Sequence, residues 1–222
     1  MKKMKIAIDG PAGAGKSTVA KQVAQALSFL YIDTGAMYRA LTYAAIKHHV
    51  SPDDEASLKS LLDSIEIKLV DEQAKTRVYV NNTDVTDQVR TEEVTKTVSL
   101  VSSHGQVRKE MVRQQRLLAE GTNCVLDGRD IGTYVLPNAE LKFFLTATVE
   151  ERARRRYEEN IQKGFKQSLE QLIKDIARRD EFDSNRSFAP LRKAEDAIEI
   201  DTTSLSISEV TQTIIGYVKE RV

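Results

Sequence analysis

The sequence predicts an α/β fold, a five-stranded parallel sheet flanked by helices, carrying a middle insertion and a polar excursion near the C-terminus. Three observations predict it. Short apolar runs of strand length alternate with amphipathic segments of helical period. A glycine-rich turn joins the first such run to the first helical segment. The 222 residues, 41% hydrophobic and 30% charged, suit one domain with a sizeable core.

Each element has its own signal. Met4 to Ile8 (MKIAI) reads as the first strand, and Lys16 to Leu27 as an apolar-periodic helix after the glycine loop. Phe29 to Ile32 (FLYI) reads as the second strand, and DTGAMYRALTYAAIKHH as a loop entering a helix. Ile65 to Val70 (IEIKLV) and Thr76 to Val80 (TRVYV) have the alternation of half-exposed strands, with Asn81, Asn82 and Asp84 marking a turn after the second. They predict a small antiparallel patch, and residues 65–103 an insertion carried on the α/β core. The core pattern then resumes. Val107 to Ala119 is a charged amphipathic helix, and Cys124 to Leu126 and Leu141 to Leu145 (LKFFL) are short apolar strands. Thr148-Val-Glu-Glu151 and Ser206-Ile-Ser-Glu209 have the pattern of capping boxes, and Ala197 to Ile200 (AIEI) is the last strand. Residues 160–194 are polar and arginine-rich. Ser168 with Gln171 opens a helix there, and RRDEFDSNRSFAP is expected to be exposed loop.

Composition excludes several classes of function. The formal net charge is +0, so bulk electrostatics points to neither nucleic acid nor an anionic membrane, and any anion site must be local. The longest apolar runs are too short to span a bilayer. MKKMKIAIDGP starts as a signal peptide would, but Asp9 ends the apolar run at strand length and no small-residue cleavage site follows. The one cysteine, Cys124, excludes an internal disulfide framework and a cysteine-rich zinc site, and is expected on a buried strand. A cytoplasmic, reducing setting and a monomer are the expectations.

The chemistry begins in IDGPAGAGKST. Gly10, Gly15, Lys16 and Ser17 fit G-x-x-x-x-G-K-[ST] at every position, with a strand before and a helix after. Glycines let the backbone turn so that successive N–H groups face inward and form an anion nest, and the helix adds the positive end of its dipole. Gly10, Pro11, Ala12, Gly13, Ala14, Gly15, Lys16, Ser17 and Thr18 are therefore the expected ATP site of a P-loop NTPase core. Lys16 is placed to span the β- and γ-phosphates and the Ser17 hydroxyl to ligate Mg²⁺. The loop alone leaves open whether the triphosphate is cut, transferred or only sensed.

Arginines beside turn chemistry bear on that choice. A phosphoryl-transfer site needs positive charge, in-line positioning and exclusion of water, and the guanidinium fork grips phosphate with two hydrogen bonds. Thr34 and Arg39 in DTGAMYR follow the second strand, at the sheet edge where open α/β folds bind ligands. Asp127 in LDGRDIGT ends a buried strand, the usual place for a contact to Mg²⁺, direct or through water, and Arg129 and Asp130 follow it. Arg152 and Arg156 in ERARRR share a helix face at i, i+4, although neighbouring glutamates also allow a balanced solvated helix. ARRDEFDSNR combines arginines and carboxylates as a mobile lid would, and as a surface loop would.

In this order, IDGPAGAGKST, DTGAMYRA, the long middle insertion, VRKEMVRQQR, DGRDIGT, ERARRR, ARRDEFDSNRSFAPL and AIEIDTTSLS resemble the bacterial type of cytidylate kinase, among the nucleoside monophosphate kinases, nearly end to end. The resemblance implies a single P-loop kinase domain over 1–222, with an NMP-binding insertion at about 65–103 and a lid at about 157–186. It implies transfer of the γ-phosphoryl of ATP to CMP or dCMP. Ser99, Arg108 and Asp130 then stand as readers of cytosine, whose mixed donors and acceptors suit such a set. Thr34, Arg39, Arg129 and Arg186 stand as contacts to the acceptor phosphate, and Arg179 and Asp183 as ribose contacts. Lys16, Arg129, Arg152 and Arg156 are the implied catalytic set. Two readings compete with this one: another small P-loop phosphotransferase acting on AMP, UMP or a small metabolite, and a non-catalytic ATP-binding regulator. The absence of an N-K-x-D motif argues against a GTPase switch.

Overall fold

The computed structural model describes residues 3–72, 75–162, 164 and 166–221. Five strands form one sheet in the order β2-β6-β1-β7-β8. They are β1 (Lys5–Asp9), β2 (Leu30–Asp33), β6 (Cys124–Gly128), β7 (Leu141–Thr146) and β8 (Ile198–Asp201). The β1–β6, β1–β7 and β7–β8 pairings are parallel, as the alternation of strand and helix predicts. The chain divides into two compact units, one of residues 1–31 and 121–222, the other of Ile32–Glu120.

In the first unit β1 is the central strand, almost wholly buried. Its Ile6 and Ile8 pack with Val19 and Val23 of α1 (Lys16–Leu27), with Phe143 and Leu145 of β7, and with Ile214 of α8 (Ile207–Lys219). All three sequence caps on this side are formed, with Thr148 Oγ1 accepting from the Glu151 amide at 3.2 Å. Ser206 and Glu209 form a reciprocal capping box at α8, and Ser168 accepts from the Gln171 amide at the start of α7 (Leu169–Asn185). Helix α6 (Val149–Gln162) packs against α7 through Ala153, Leu172 and Ile176. Cys124 is buried on β6, where burial raises its thiol pKa.

One expectation here is overturned. Arg178 to Asn185 is not exposed loop but the last two turns of α7. The segment reads as loop because its charges hide the helical stripe. Leu172 and Ile176 continue that stripe into Asp180 and Asp183, and Asp183 is buried by ion pairing rather than by apolar packing.

The second unit holds helices α2 (Thr34–Lys47), α3 (Glu55–Ser64), α4 (Glu92–Val101) and α5 (Gly105–Ala119). Beside them lies an antiparallel sheet, β3 (Ile67–Glu72), β4 (Lys75–Val80) and a short β5 (Thr83–Asp84), in that order. Asn81 and Asn82 adopt positive φ in the turn the sequence marked, and β5 adds a third strand to the expected pair. Val78, Val85 and Val89 pack with Ala36 and Ala40 of α2. Helix α2 starts one residue after β2 rather than after a loop, because Asp33 caps it by accepting from the Ala36 amide at 2.7 Å.

Candidate active site

In the first unit β1 ends at Asp9 and turns through residues 10–15 into α1. Gly10 has φ +144°, and a Cβ there would stand 2.1 Å from the Leu145 carbonyl oxygen. Gly15 starts α1 from the left-handed region at φ +82°. A side chain at either position would strain or clash, so the loop's shape follows from its glycines. The amides of the loop and of the first turn of α1 make a cradle suited to phosphate oxygens.

Lys16 is buried at the foot of this loop, and its Nζ donates to the Pro11 carbonyl at 2.6 Å. Burial, helped by the Arg129 guanidinium, pushes its pKa well down against the pull of Asp127 and Asp9. Ser17 Oγ donates to Asp127 Oδ2 at 2.7 Å, and the Tyr31 hydroxyl donates to Asp127 Oδ1 at 2.8 Å. A hydroxyl beside a carboxylate is a hard-oxygen pair that fits Mg²⁺. No cluster of three or more histidine, cysteine or acidic side chains that could hold a metal stands among the described residues. A cation here would therefore take its remaining ligands from phosphate and water.

The register places Asp9 level with Gly128 of β6 and Phe144 of β7, so LDGRD leaves the same carboxyl edge as the glycine loop. Arg129 Nε donates to Asp183 Oδ2 at 3.0 Å, and Arg179 Nε lies 4.0 Å from the same oxygen. Burial acts to raise the Asp183 pKa, but the charges of Arg129, Arg179 and Arg186 outweigh it and hold the carboxyl below its usual range. Asp130 is buried, 3.7 Å from Arg186 NH2, and Arg186 also donates twice to the Ala189 carbonyl. Arg129, Asp130, Arg179, Asp183 and Arg186 thus form one network.

The arginines of α6 separate. Arg152 is buried and spans the Ala12 carbonyl of the glycine loop at 3.0 Å, the Ala147 carbonyl at 2.9 Å and Asp180 at 2.6 Å. Arg154 pairs with Glu151 and Glu158 on the surface, and Arg155 with Glu151 and Thr202. Arg156 pairs with Glu159 at 3.2 Å and is half-exposed.

The second unit holds the other predicted residues. Thr34 is buried at the first turn of α2. Arg39, one turn on, reaches both Asp33 carboxylate oxygens at 3.3 and 3.4 Å, and its Nε is buried with no hydrogen-bond partner among the described residues. Arg108 of α5 is 1% exposed, donates to the Ser102 carbonyl at 2.9 Å and lies over the Tyr38 ring at 5.4 Å. Ser99 sits half-buried on α4, a turn before Ser102.

Sequence reasoning passed over Tyr31 and Asp9. Asp9 is 4% exposed and accepts from the Ile131 amide at 2.8 Å and the Gly132 amide at 2.7 Å. Burial pushes its pKa up to about 7 despite those two bonds. The signal was an acid closing an apolar strand, since a buried carboxylate needs named partners.

A family model described as "Cytidylate kinase" matches residues 6–220. The chain belongs to the cytidylate kinase family. A protein of Halalkalibacterium halodurans named cytidylate kinase is 98% identical over 222 residues, covering 100% of both chains. One of Bacillus subtilis with the same name is 58% identical over 220 residues, covering 99% of this chain and 98% of the relative. Among solved structures, an uncharacterised protein from Eubacterium ventriosum matches at TM-score 0.54 and 16% identity, covering 99% of each chain, a likeness of fold. The family accounts for the order of motifs in this chain, from the glycine loop through LDGRD to α7.

Proposed function

We propose that the chain transfers the γ-phosphoryl group of ATP to CMP or dCMP, giving ADP and CDP or dCDP. Membership of the cytidylate kinase family supports the reaction. The observation that carries it is the pairing, at one sheet edge, of the glycine cradle with the Arg129–Asp183–Arg179 network. A protein that only senses ATP has no use for a second cationic cluster beside the first.

In this reading residues 10–18 hold the ATP phosphates. Lys16, Arg129, Arg152 and Arg156 offset the charge that spreads over the transferring group. Arg152 does so from a fixed position, since three partners hold its guanidinium. Ser17 and Asp127 hold Mg²⁺, the carboxylate directly or through water, and the ion supplies charge neutralisation at the phosphate oxygens when bound. Thr34, Arg39, Arg129 and Arg186 take the CMP phosphate, Arg179 and Asp183 the ribose, and Ser99, Arg108 and Asp130 the base. No general base is required by a loose transition state, where positioning and charge dominate. The insertion at about 65–103 serves the monophosphate, and residues at about 157–186 serve as the lid. The protein works as a monomer in the cytoplasm, without nucleic acid or membrane. Among the described residues no helix is long and apolar enough to cross a membrane.

The test is incubation with Mg·ATP and each nucleoside monophosphate in turn, following ADP by chromatography. CMP and dCMP should give the fastest ADP formation. Equal or faster turnover with AMP, GMP or UMP overturns the substrate assignment.

A further inference from the structure

We infer that Asp9 is a positioning residue for the acceptor nucleotide, acting through the backbone that follows Arg129 and Asp130. Three observations meet at this side chain. Asp9 closes the central strand one residue before Gly10, yet its carboxylate turns to the neighbouring loop rather than to the glycine cradle. Its two oxygens accept from two successive amides, Ile131 through Oδ1 and Gly132 through Oδ2. Those amides open the single wide turn Ile131–Val135, directly after the two residues assigned to CMP. The carboxylate therefore works as a two-point clamp on the loop's exit, and a two-point clamp fixes direction as well as distance.

The far side of the clamp is also closed. A Cβ on Gly132 would stand 3.4 Å from Asp9 Oδ2 and 3.1 Å from Lys142 Cδ. Gly132 thus lies wedged between the carboxylate and the lysine stem. Lys142 is itself buried and anchored by the Pro137 carbonyl and by Asp196 at 2.9 Å. The turn has little room to drift, and neither do Arg129 and Asp130 just before it. A displacement near 1 Å in a positioning group is enough to cost about a hundredfold in rate. The glycine loop is held separately by its own dihedrals and by the β1 ladders to β6 and β7. Loosening the clamp should therefore be felt at the acceptor before the donor.

The inference rests on the proposed function, and the test separates the two. Asp9→Asn keeps the shape, but its amide NH₂ faces one of the two backbone donors, so one clamp bond is lost. Gly132→Ala crowds the turn against the Lys142 stem and the Asp9 carboxylate while keeping the Asp9 side chain itself, and it carries the test if Asp9→Asn does not fold. Steady-state constants are measured for CMP at saturating Mg·ATP and for ATP at saturating CMP, with melting temperatures alongside. Each variant is expected to raise KM for CMP roughly tenfold and to leave KM for ATP within about twofold. Equal losses for both nucleotides, or a lower melting temperature with unchanged constants, overturn the inference. A wild-type protein without CMP-dependent turnover overturns the proposed function and this inference together. Normal wild-type turnover with unsplit constants in the variants overturns the inference alone.

Discussion

The glycine loop and the arginine network leave the same sheet edge, and they make positive potential in opposite ways. The loop makes it from backbone amides, fixed by the positive-φ dihedrals of Gly10, Gly13 and Gly15. The network makes it from side chains, each held by a carboxylate: Arg129 and Arg179 by Asp183, Arg186 by Asp130, Arg152 by Asp180. A backbone site is stiff, and its weak points are its glycines. A side-chain site is tuned by the acids that hold it, so its weak points are those acids.

The largest expected effect lies where the two devices meet. Lys16→Ala removes the one side-chain charge of the loop, and kcat should fall about a thousandfold, about 4 kcal/mol of transition-state stabilisation, with the far-ultraviolet spectrum unchanged. Near-normal turnover would show that the loop's amides suffice alone. Next comes the backbone itself. Gly10→Ala forces a side chain into positive φ against the Leu145 carbonyl, and urea unfolding should show a loss of roughly 3 kcal/mol.

Smaller effects belong to the network. Asp183→Asn leaves Arg129 and Arg179 without their shared counter-charge, and stability at pH 7 should fall by about 2 kcal/mol. The pH dependence follows from the same shift. Asp183 titrates below its ordinary value in the folded protein, so its contribution is present above that ordinary value, about 4, and is lost as pH falls through the folded value. The variant should therefore lose less stability than the wild type on acidification. Smallest of all is Arg154→Ala. Among the described residues that guanidinium pairs with exposed or half-exposed glutamates on its own helix, and neither kcat nor melting temperature should move measurably. A clear loss of kcat would bring Arg154 into the network.

The same contrast decides what the sequence discloses. The glycine loop and α1 are local, so their spacing could be read directly, and the helix spans the predicted Lys16–Leu27. The antiparallel patch was visible from alternation, though β5 is too short to have a period. Helix α3 drew no reading, although Asp54 accepts from the Ser57 amide at its start. Arg178 to Asn185 misled because the burial of Asp183 depends on Arg129, 54 residues away in the chain. Asp9 was passed over for the same reason, its partners lying at Ile131 and Gly132. The arginine-bearing motifs could be named from order alone. Which acid holds each arginine is a tertiary fact, written in no short stretch.

Cys124 supplies the molecule with its own gauge. It is 0% exposed on β6, a strand flanked on both sides, and burial keeps its thiol protonated and slow to react. A thiol reagent can reach it only when the sheet separates, so its labelling rate counts global openings. The variants above can thus be ranked by one chemical clock at a single atom, without denaturant and without an introduced cysteine.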